Sequence, residues 1–230
     1  MNESLELRVQ VAPGWTQTIP GAHVGMLAIE GVSNPSSHDE LERRAGEMVS
    51  TLRERYAGQQ RAQLAALPVI SAYQRHYRAF GQTYHVLRQL ESVALKGKPL
   101  ASPSALVLAM FAAELDSLLL TAAHDLDALV PPIVIDASTE GERFVGLGGR
   151  EHILHAGDML MRDRDGIISA VIYGPDQRTQ LHAGTKRVLF TTYAPADIDP
   201  RAVRPHLSKI AELVRLVCPA ALTVLERVYP

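Results

Sequence analysis

The chain has 230 residues, of which 47% are hydrophobic, 21% charged and 5% aromatic, and its formal net charge is −2. This composition excludes wholesale disorder and fibrous architectures, and the near-neutral charge excludes binding to nucleic acid through overall positive charge. The single cysteine, Cys218, excludes an internal disulfide and a cysteine-based zinc site. No signal peptide is visible at the start of the chain, and one cysteine is typical of a reducing compartment, so we expect a soluble, cytoplasmic protein.

The first part of the chain predicts two strands followed by helices. Residues 5–11 alternate apolar and polar side chains, and residues 23–32 are nearly all small and apolar, as in a central strand. Ser37 is placed to cap a helix that runs to Tyr56. Further helices are predicted over residues 61–67, 68–79 and 83–96, with Gly97 as the stop signal of the last one.

A long apolar helix is predicted next, and strands after it. Ser102 followed by Pro103 marks its start, and Glu114 and Asp116 interrupt its apolar run, which indicates a core helix rather than a membrane span. From Ile133 onward, short β-rich runs are separated by Gly, Asp and Pro. Residues 200–217 predict an amphipathic helix. We therefore expect one α+β domain over residues 1–230.

Charge is distributed unevenly along the chain. Residues 38–98 carry ten basic and six acidic side chains, whereas residues 110–165 carry four basic and eleven acidic ones. Solvated arginines on helices and acids in turns would give this difference. A basic helical face beside an acidic, β-rich pocket would give it as well.

The motifs of several enzyme classes are missing from the sequence. It contains no glycine-rich phosphate-binding motif, no HExxH zinc motif and no nucleophile elbow, and Cys218 is placed for packing rather than nucleophilic chemistry. His152 and His155 flank a turn, where metal binding is not expected. We predict neither a metal nor a cofactor.

Two segments combine side chains suited to binding or catalysis. In residues 72–80, aromatic and basic side chains alternate; the rings fit one buried helical face, which leaves Arg75, His76 and Arg78 as candidate RNA contacts. In the sequence HDLD, His124 and Asp125 could orient a water molecule or bind a polar ligand. Asp125 could equally cap a turn.

The order of these motifs resembles a known family. YRAFG, KGKPL, HDLD, EGERFVGLGG, AGDMLMRDRDGIISAVIYG and TKRVLFTTYAPADI follow one another over residues 73–198. In this order they resemble the B3/B4 domain, the tRNA-editing module of the bacterial phenylalanyl-tRNA synthetase beta subunit, and most of all its freestanding versions. The resemblance implies an α+β fold with a β-rich pocket half, an N-terminal strand pair and surrounding amphipathic helices.

The resemblance also implies a site. Its pocket would receive the aminoacyl end of a mischarged tRNA, and a positioned water would hydrolyse the ester without a covalent nucleophile or a metal. Asp125 matches the aspartate that closes the family's turn, Gly174 falls in the glycine turn of the amino-acid pocket, and Thr185 opens the late strand. The implied residues are, for catalysis, His124 and Asp125; for the substrate, Glu142, Phe144, Gly174, Thr185 and Thr191; and for RNA, Arg75, His76, Arg78 and Arg88.

Three departures from the family pattern affect what the pocket would accept. The family histidine before the aspartate falls at Ala122, two polar residues of the preceding helix fall at Leu108 and Phe111, and the glutamate that reads a tyrosine hydroxyl falls at Thr191. Without that carboxylate, we expect the pocket to select only weakly for an amino acid that carries a phenol, such as tyrosine. Either the pocket admits another amino acid, or binding persists without hydrolysis.

The leading hypothesis is a freestanding tRNA-binding protein that hydrolyses a mischarged aminoacyl-tRNA in trans, with tRNA or aminoacyl-tRNA as partner and with no membrane or DNA partner. The alternative is a non-enzymatic protein that binds a free amino acid or a related metabolite in the same pocket. An unrelated α+β domain with a doubly wound parallel sheet is a third interpretation.

Overall fold

The structure is a computed structural model that describes residues 8–230. The first three residues of the strand predicted over residues 5–11 lie outside the described residues, and the rest of it forms strand β1, Val9–Val11.

Helices dominate the first half of the described chain. The predicted helices are confirmed, and the helices in chain order are α1 (Trp15–Thr18), α2 (Asp39–Arg55), α3 (Arg61–Ala65), α4 (Pro68–Ala79), α5 (His85–Leu90), α6 (Ala105–Ser117) and α7 (Val203–Val217). After α5 the chain makes a π-helical turn, Glu91–Leu95, and Gly97 ends it with a φ of +67°.

Two helix starts differ from the prediction. The N-cap of α2 is His38 and not Ser37, because the backbone of His38 is extended and its Nδ1 accepts a hydrogen bond from the Leu41 N–H at 3.4 Å. Helix α6 begins two residues after Pro103, since Ser104 still has an extended backbone.

Strands form three sheets. After β1 they are β2 (His23–Glu30), β3 (Thr121–Asp125), β4 (Ile133–Ala137), β5 (Arg143–Val145), β6 (Glu151–Ile153), β7 (Met159–Asp163), β8 (Gly166–Ala170), β9 (Gly174–Pro175), β10 (Arg187–Ala194) and β11 (Leu222–Tyr229). The sheet orders are β1-β4-β7-β8-β9, β11-β2-β10-β3 and β5-β6. Within the described residues only β1 and β4 pair in parallel, so the sheets are not those of a doubly wound fold.

The predicted N-terminal strand pair is wrong. Both strands form, but β1 pairs with β4 in the five-stranded sheet, whereas β2 lies between β10 and β11 in the four-stranded sheet. The run of buried residues in β2 explains this, because a strand that is apolar on both faces is stable only inside a sheet that is covered on both sides.

Four strands were not predicted: the short strands β6 and β9, and the longer strands β3 and β11. Residues 121–125, which follow the apolar helix, form strand β3, and all five are buried. The final residues form the edge strand β11, whose burial alternates only partly. In both cases pairing with a neighbour, β10 or β2, supplies the backbone hydrogen bonds that make the segment a strand.

Helix α7 packs directly on strand β2. A Cβ placed on Gly25 would lie 2.4 Å from Val203 Cγ1 and 3.2 Å from Leu207 Cδ1. Only a residue without a side chain therefore fits at this point of β2. Buried side chains of α6 and α7, including Leu106, Leu207 and Val214, complete the hydrophobic core around this contact.

We expect Gly25→Ala to destabilise the protein by about 1–3 kcal/mol, because the added methyl group overlaps the stiff side chain of Val203. Urea unfolding measures this change. Val203→Ala in the same chain should restore part of the loss. As a control, Gly46→Ala in helix α2, where no atom lies within 4 Å of the new Cβ, should stabilise the protein by about 0.5–1 kcal/mol. Equal effects at the two glycines would contradict the close contact.

Candidate functional site

A cavity of about 440 Å³ lies between helix α6, the edge strand β3 and the turn that leads into strand β9. Val107, Met110, Phe111 and Glu114 form one wall, because helical spacing puts them on the same side of α6. This position explains why helix α6 is apolar on all sides. One side of the helix faces the core and the other side faces the cavity.

Glu114 brings a carboxyl group into this apolar cavity. The residue is only 1% exposed; its Oε2 accepts a hydrogen bond from the Thr121 N–H at 3.0 Å, while its Oε1 has no hydrogen-bond partner in the described part of the chain. Burial raises the pKa of Glu114 to about 8, so the carboxyl is mostly protonated at neutral pH. The cavity thus contains a neutral group that can donate one hydrogen bond.

A buried polar network fixes Thr121, the partner of Glu114. The Thr121 hydroxyl lies 2.7 Å from His206 Nε2 and 3.0 Å from the Thr192 hydroxyl, and His206 Nδ1 lies 2.8 Å from Ser117 Oγ. Burial lowers the pKa of His206 to about 4, which keeps the imidazole neutral. The network therefore stabilises the start of β3 without a charge.

Two tyrosines hold the short link between α6 and β3. The Tyr73 hydroxyl accepts a hydrogen bond from the Leu120 N–H at 2.9 Å and donates one to the Tyr193 carbonyl. The Tyr84 hydroxyl donates to the carbonyl of Leu118, which has a φ of +65°. The rings of Tyr73 and Tyr84 stack with their centroids 4.3 Å apart.

The free edge of strand β3 faces the cavity. The Tyr193 N–H bonds to the Leu120 carbonyl at 3.1 Å, and an antiparallel ladder alternates the direction of its backbone groups. This alternation turns the N–H and C=O of Ala123, a cavity residue, away from β10. A bound molecule can use these two backbone groups.

His85 lies where the cavity meets a second, basic groove. It lines the cavity and also a groove of about 400 Å³ that contains Arg88, Lys98 and Ser92. Desolvation by the surrounding protein, together with the charge of Arg88, lowers the pKa of His85, so its ring is neutral at pH 7.

Most basic side chains of residues 38–98 are already neutralised within the protein. Carboxylates lie within 4 Å of six of them: Arg43, Arg44, Arg55, Arg61, Arg75 and Lys96. Arg53 donates to three backbone carbonyls. Among residues 8–230, no carboxylate lies within 4 Å of Arg78, Arg88 or Lys98. The basic charge available to a partner is therefore small and localised.

The two predicted catalytic residues do not form a pair. His124 and Asp125 are consecutive in β3 and point to opposite faces of the sheet. His124 is fully buried; its Nδ1 lies 2.7 Å from the Thr179 hydroxyl, and its Nε2 has no hydrogen-bond partner within residues 8–230. Burial first, and then the charge of Arg178, lower the pKa of His124 to about 3. Neither residue lines the cavity.

Asp125 organises the turn after β3. Its carboxylate accepts hydrogen bonds from the Asp127 N–H at 3.0 Å and from the Thr185 hydroxyl at 2.7 Å, and it lies 2.9 Å from His182 Nε2. The capping role considered for Asp125 in the sequence is the one that the structure contains. Thr185 takes part in the same cluster, outside the cavity.

Of the remaining predicted substrate-binding residues, Gly174 alone lines the cavity, with a φ of +84°. Glu142 pairs with Arg162 at 3.0 Å, and Phe144 packs in a separate small cluster with Leu154 and Ile167. Thr191 is buried in β10, and its hydroxyl has no partner in the described chain. Phe111 and Ala122, where the sequence departs from the family pattern, do line the cavity, and Leu108 does not.

The predicted RNA-binding residues are placed differently from one another. Arg75 is exposed but pairs with Asp197 at 2.6 Å, and the ring of His76 is mostly buried with its Nε2 2.8 Å from Asp158. Arg78 is exposed, and its one hydrogen bond within residues 8–230 is to the Gln74 side chain at 3.4 Å. Arg88 lies in the basic groove next to the cavity.

Glu114 and His85 line the cavity but were not predicted as site residues from the sequence. The signal for Glu114 was present, since it is a carboxylate within the apolar run of α6, but the sequence does not say whether such a group faces a cavity or solvent. His85 carried no local signal, because its place depends on how α5 meets α6.

Three further observations concern residues 8–230. No helix there is long and apolar enough to cross a membrane. In the same part of the chain no three His, Cys, Asp or Glu side chains converge in a way that could hold a metal ion. The buried Cys218 thiol accepts a hydrogen bond from the Ser33 N–H at 3.1 Å, as expected for a packing role.

Comparison with known proteins identifies the class of domain. Residues 113–218 match the family model of the B3/4 domain. A curated relative, the phenylalanine–tRNA ligase beta subunit of Oleidesulfovibrio alaskensis, is 35% identical over 89 residues, which are 37% of this chain and 11% of that subunit. Residues 113–218, a little less than half of the chain, are therefore B3/B4-like, which confirms the resemblance found in the sequence. The chain spans only about a tenth of the length of this relative.

The fold agrees with this assignment. An N-terminal fragment of the phenylalanyl-tRNA synthetase beta subunit from Pyrococcus horikoshii has a TM-score of 0.50 and 12% sequence identity, over 98% of this chain and 55% of that fragment. At this identity the likeness concerns the fold alone. It confirms the predicted α+β class.

We expect Glu114→Gln to change how stability depends on pH. Because burial raises the pKa of Glu114 from 4.5 to about 8, the folded state retains a proton that the unfolded chain loses above pH 4.5. The free energy of unfolding should therefore fall between pH 4.5 and 8 and level off above that range. The shift corresponds to a total loss of roughly 5 kcal/mol.

The amide side chain that Glu114→Gln introduces does not titrate, so this variant should gain stability relative to the natural protein as the pH rises. Urea unfolding at pH 5, 6, 7 and 8 measures the difference between the two chains. Subtraction removes the titrations that both share, such as those of His124 and His206. A difference that does not change with pH would show that Glu114 ionises normally.

Proposed function

We propose that the chain, as a single B3/B4-like domain, binds the end of an aminoacyl-tRNA and hydrolyses the ester of a mischarged one in trans. The observation that carries this proposal is that His85 joins the apolar cavity to the basic groove. An aminoacyl-tRNA end has the same two parts, an amino acid next to a phosphate backbone.

The cavity suits an amino-acid side chain. Its volume of about 440 Å³ lies within the range of small-molecule sites, and its walls are mainly apolar with a few polar groups. Glu114 and the free backbone groups of Ala123 would orient the ligand, whereas Val107, Met110 and Phe111 would exclude water from its apolar part.

The basic groove suits the phosphates of the tRNA end. Arg88 and Lys98 have no carboxylate neighbour within the described chain, so a phosphate would not have to displace an internal ion pair to reach them. Arg78 has the same property on helix α4. Arg75 and His76 stay predicted contacts whose present partners, Asp197 and Asp158, would compete with RNA.

The relatives support the same kind of partner. The curated relative and the solved structure are both beta subunits of an enzyme that joins phenylalanine to tRNA. The region that matches the B3/4 family model includes Glu114, β3 and Gly174, which form much of the cavity. Recognition of an aminoacyl-tRNA end by this chain is thus the simplest extension of the match.

A cavity-filling variant tests the aminoacyl site. Purified protein is incubated with a panel of mischarged aminoacyl-tRNAs, and the release of each amino acid is measured. We expect release of one amino acid by the natural protein and none by Val107→Trp, because the indole fills the cavity wall where Val107 stands. Val145→Trp, on the exposed hairpin β5–β6, is the matched control and should retain turnover.

Absence of turnover over the whole panel would contradict the hydrolytic part of the proposal. If, in addition, a free amino acid raised the melting temperature while tRNA did not, the protein would instead be a small-molecule binder.

A charge variant tests the RNA side of the site. Arg88→Ala/Lys98→Ala should weaken tRNA binding and reduce the slope of log Kd against log salt by about 1.5, since two phosphate contacts would be lost. Filter binding between low and moderate salt measures both quantities. Arg43→Ala/Arg201→Ala removes the same charge from residues that are paired with Glu40 and Asp199, and it should change binding less. Equal slopes for the two double variants would count against the groove.

A further inference from the structure

The chain contains one histidine whose surroundings suit proton transfer at the junction of cavity and groove. We propose that His85 is the general base that activates the hydrolytic water. This inference rests on the proposed function, but no motif of the sequence selected His85, and the two residues that were selected for catalysis, His124 and Asp125, do not reach the cavity.

His85 lies at the place where the ester bond of a bound aminoacyl-tRNA would be. In an aminoacyl-tRNA, the ester bond joins the amino acid to the terminal ribose. A ligand that fills both the cavity and the groove therefore places this bond where the two regions meet. His85 lines both regions, and it is exposed enough to touch a ligand.

Two tyrosine side chains orient the imidazole ring of His85. The ring centroids of Tyr84 and Tyr77 lie 5.8 Å and 6.3 Å from that of His85, which restricts its rotation. The Tyr77 hydroxyl donates its proton to the Val171 carbonyl at 2.8 Å, so its oxygen can accept the Nδ1–H of His85 across 3.5 Å. The lone pair of Nε2 is then free to accept a proton from water.

The charged groups near His85 favour the neutral form of its ring. The titratable and charged groups around His85 are Tyr84 next to it in the chain, Arg88 on its own helix, Tyr77 on α4, Glu114 across the cavity on α6, and Lys98 in the groove. Desolvation and Arg88 lower the pKa of His85, and Glu114 is mostly protonated at pH 7, so no nearby anion holds a proton on the ring. The ring is in the form that a general base requires.

Two other histidines, His124 and His182, lack the properties that a general base requires. His124 too is neutral, but it is fully buried and does not line the cavity, so neither water nor an ester can reach its Nε2. His182 is exposed, yet its Nε2 lies beside Asp125 and its Nδ1 accepts the Gly184 N–H at 3.0 Å. Neither nitrogen of His182 is free to act as a base.

The reaction balances with these groups. A water oxygen forms a bond to the ester carbonyl carbon while His85 Nε2 takes one proton from that water. The tetrahedral intermediate then breaks its bond to the ribose oxygen, which receives the proton from the His85 imidazolium. The products are a free amino acid and a tRNA with a free terminal hydroxyl group.

The test uses the full chain and the mischarged aminoacyl-tRNA that it hydrolyses in the panel. Under single-turnover conditions His85→Gln should lower the hydrolysis rate by about 10²- to 10⁴-fold without weakening tRNA binding. The rate of the natural protein, corrected for spontaneous hydrolysis, should fall at low pH as His85 becomes protonated. The rate of the variant should lack this fall.

Two controls distinguish the loss of a catalytic group from misfolding of the variant. His152→Gln changes another histidine of lowered pKa, whose ring centroid lies 4.7 Å from that of Tyr173 outside the cavity, and it should retain both the rate and the pH profile. Added imidazole should restore part of the rate of His85→Ala, which a misfolded variant would not allow.

Two results would overturn the inference, and they differ in what else they overturn. If His85→Gln retains the rate and the fall at low pH, or if imidazole does not rescue His85→Ala, His85 is not the base although the hydrolytic function stands. If the natural protein hydrolyses no member of the panel, the inference fails together with the hydrolytic function.

Discussion

Helix α6 and strand β3 are joined by only three residues, 118–120, and the cavity depends on the way this link is held. The hydroxyl groups of Tyr73 and Tyr84 satisfy its backbone groups, and the Glu114 carboxyl accepts the first N–H of β3. These bonds keep the last turns of the helix beside the free edge of the sheet. Without them the apolar wall of α6 and the backbone of β3 would not face the same space. A buried, neutral carboxyl is therefore both a structural clamp and a group that a ligand can contact.

Ion pairs decide which part of the surface can attract an anion. The segment of residues 38–98 has an excess of basic side chains, but internal carboxylates and carbonyls engage most of them. The few that are left include Arg88 and Lys98, which border the groove beside the cavity. A local excess of charge in a sequence is thus a weak guide to a binding face, because partners far apart in the chain, such as Arg75 and Asp197, cancel it after folding.

Much of the fold could be predicted because its signals are local. The spacing of apolar residues in α2 and α7 and the small apolar run of β2 gave the correct element types. Strand β3 was not predicted, since its sequence, TAAHD, has no alternation of apolar and polar residues and is compatible with several structures until β10 pairs with it. The prediction of site residues was limited in the same way, because local sequence does not show which side chains meet in the fold. Gly174 lines the cavity, whereas His124 and Asp125 do not, because His124 is buried against Thr179 and Asp125 holds the turn after β3.

The sequence by itself determined the α+β class, most of the helices and strands, and the B3/B4 resemblance, because helical and strand periodicities and the order of motifs are properties of the chain. Only the tertiary structure decided which side chains share a space. Glu114, His85 and Ala123 come from α6, α5 and β3, and no spacing in the sequence relates them. It also decided their protonation, since a carboxyl has an ordinary pKa in water and a raised one only after neighbouring elements have removed the water around it.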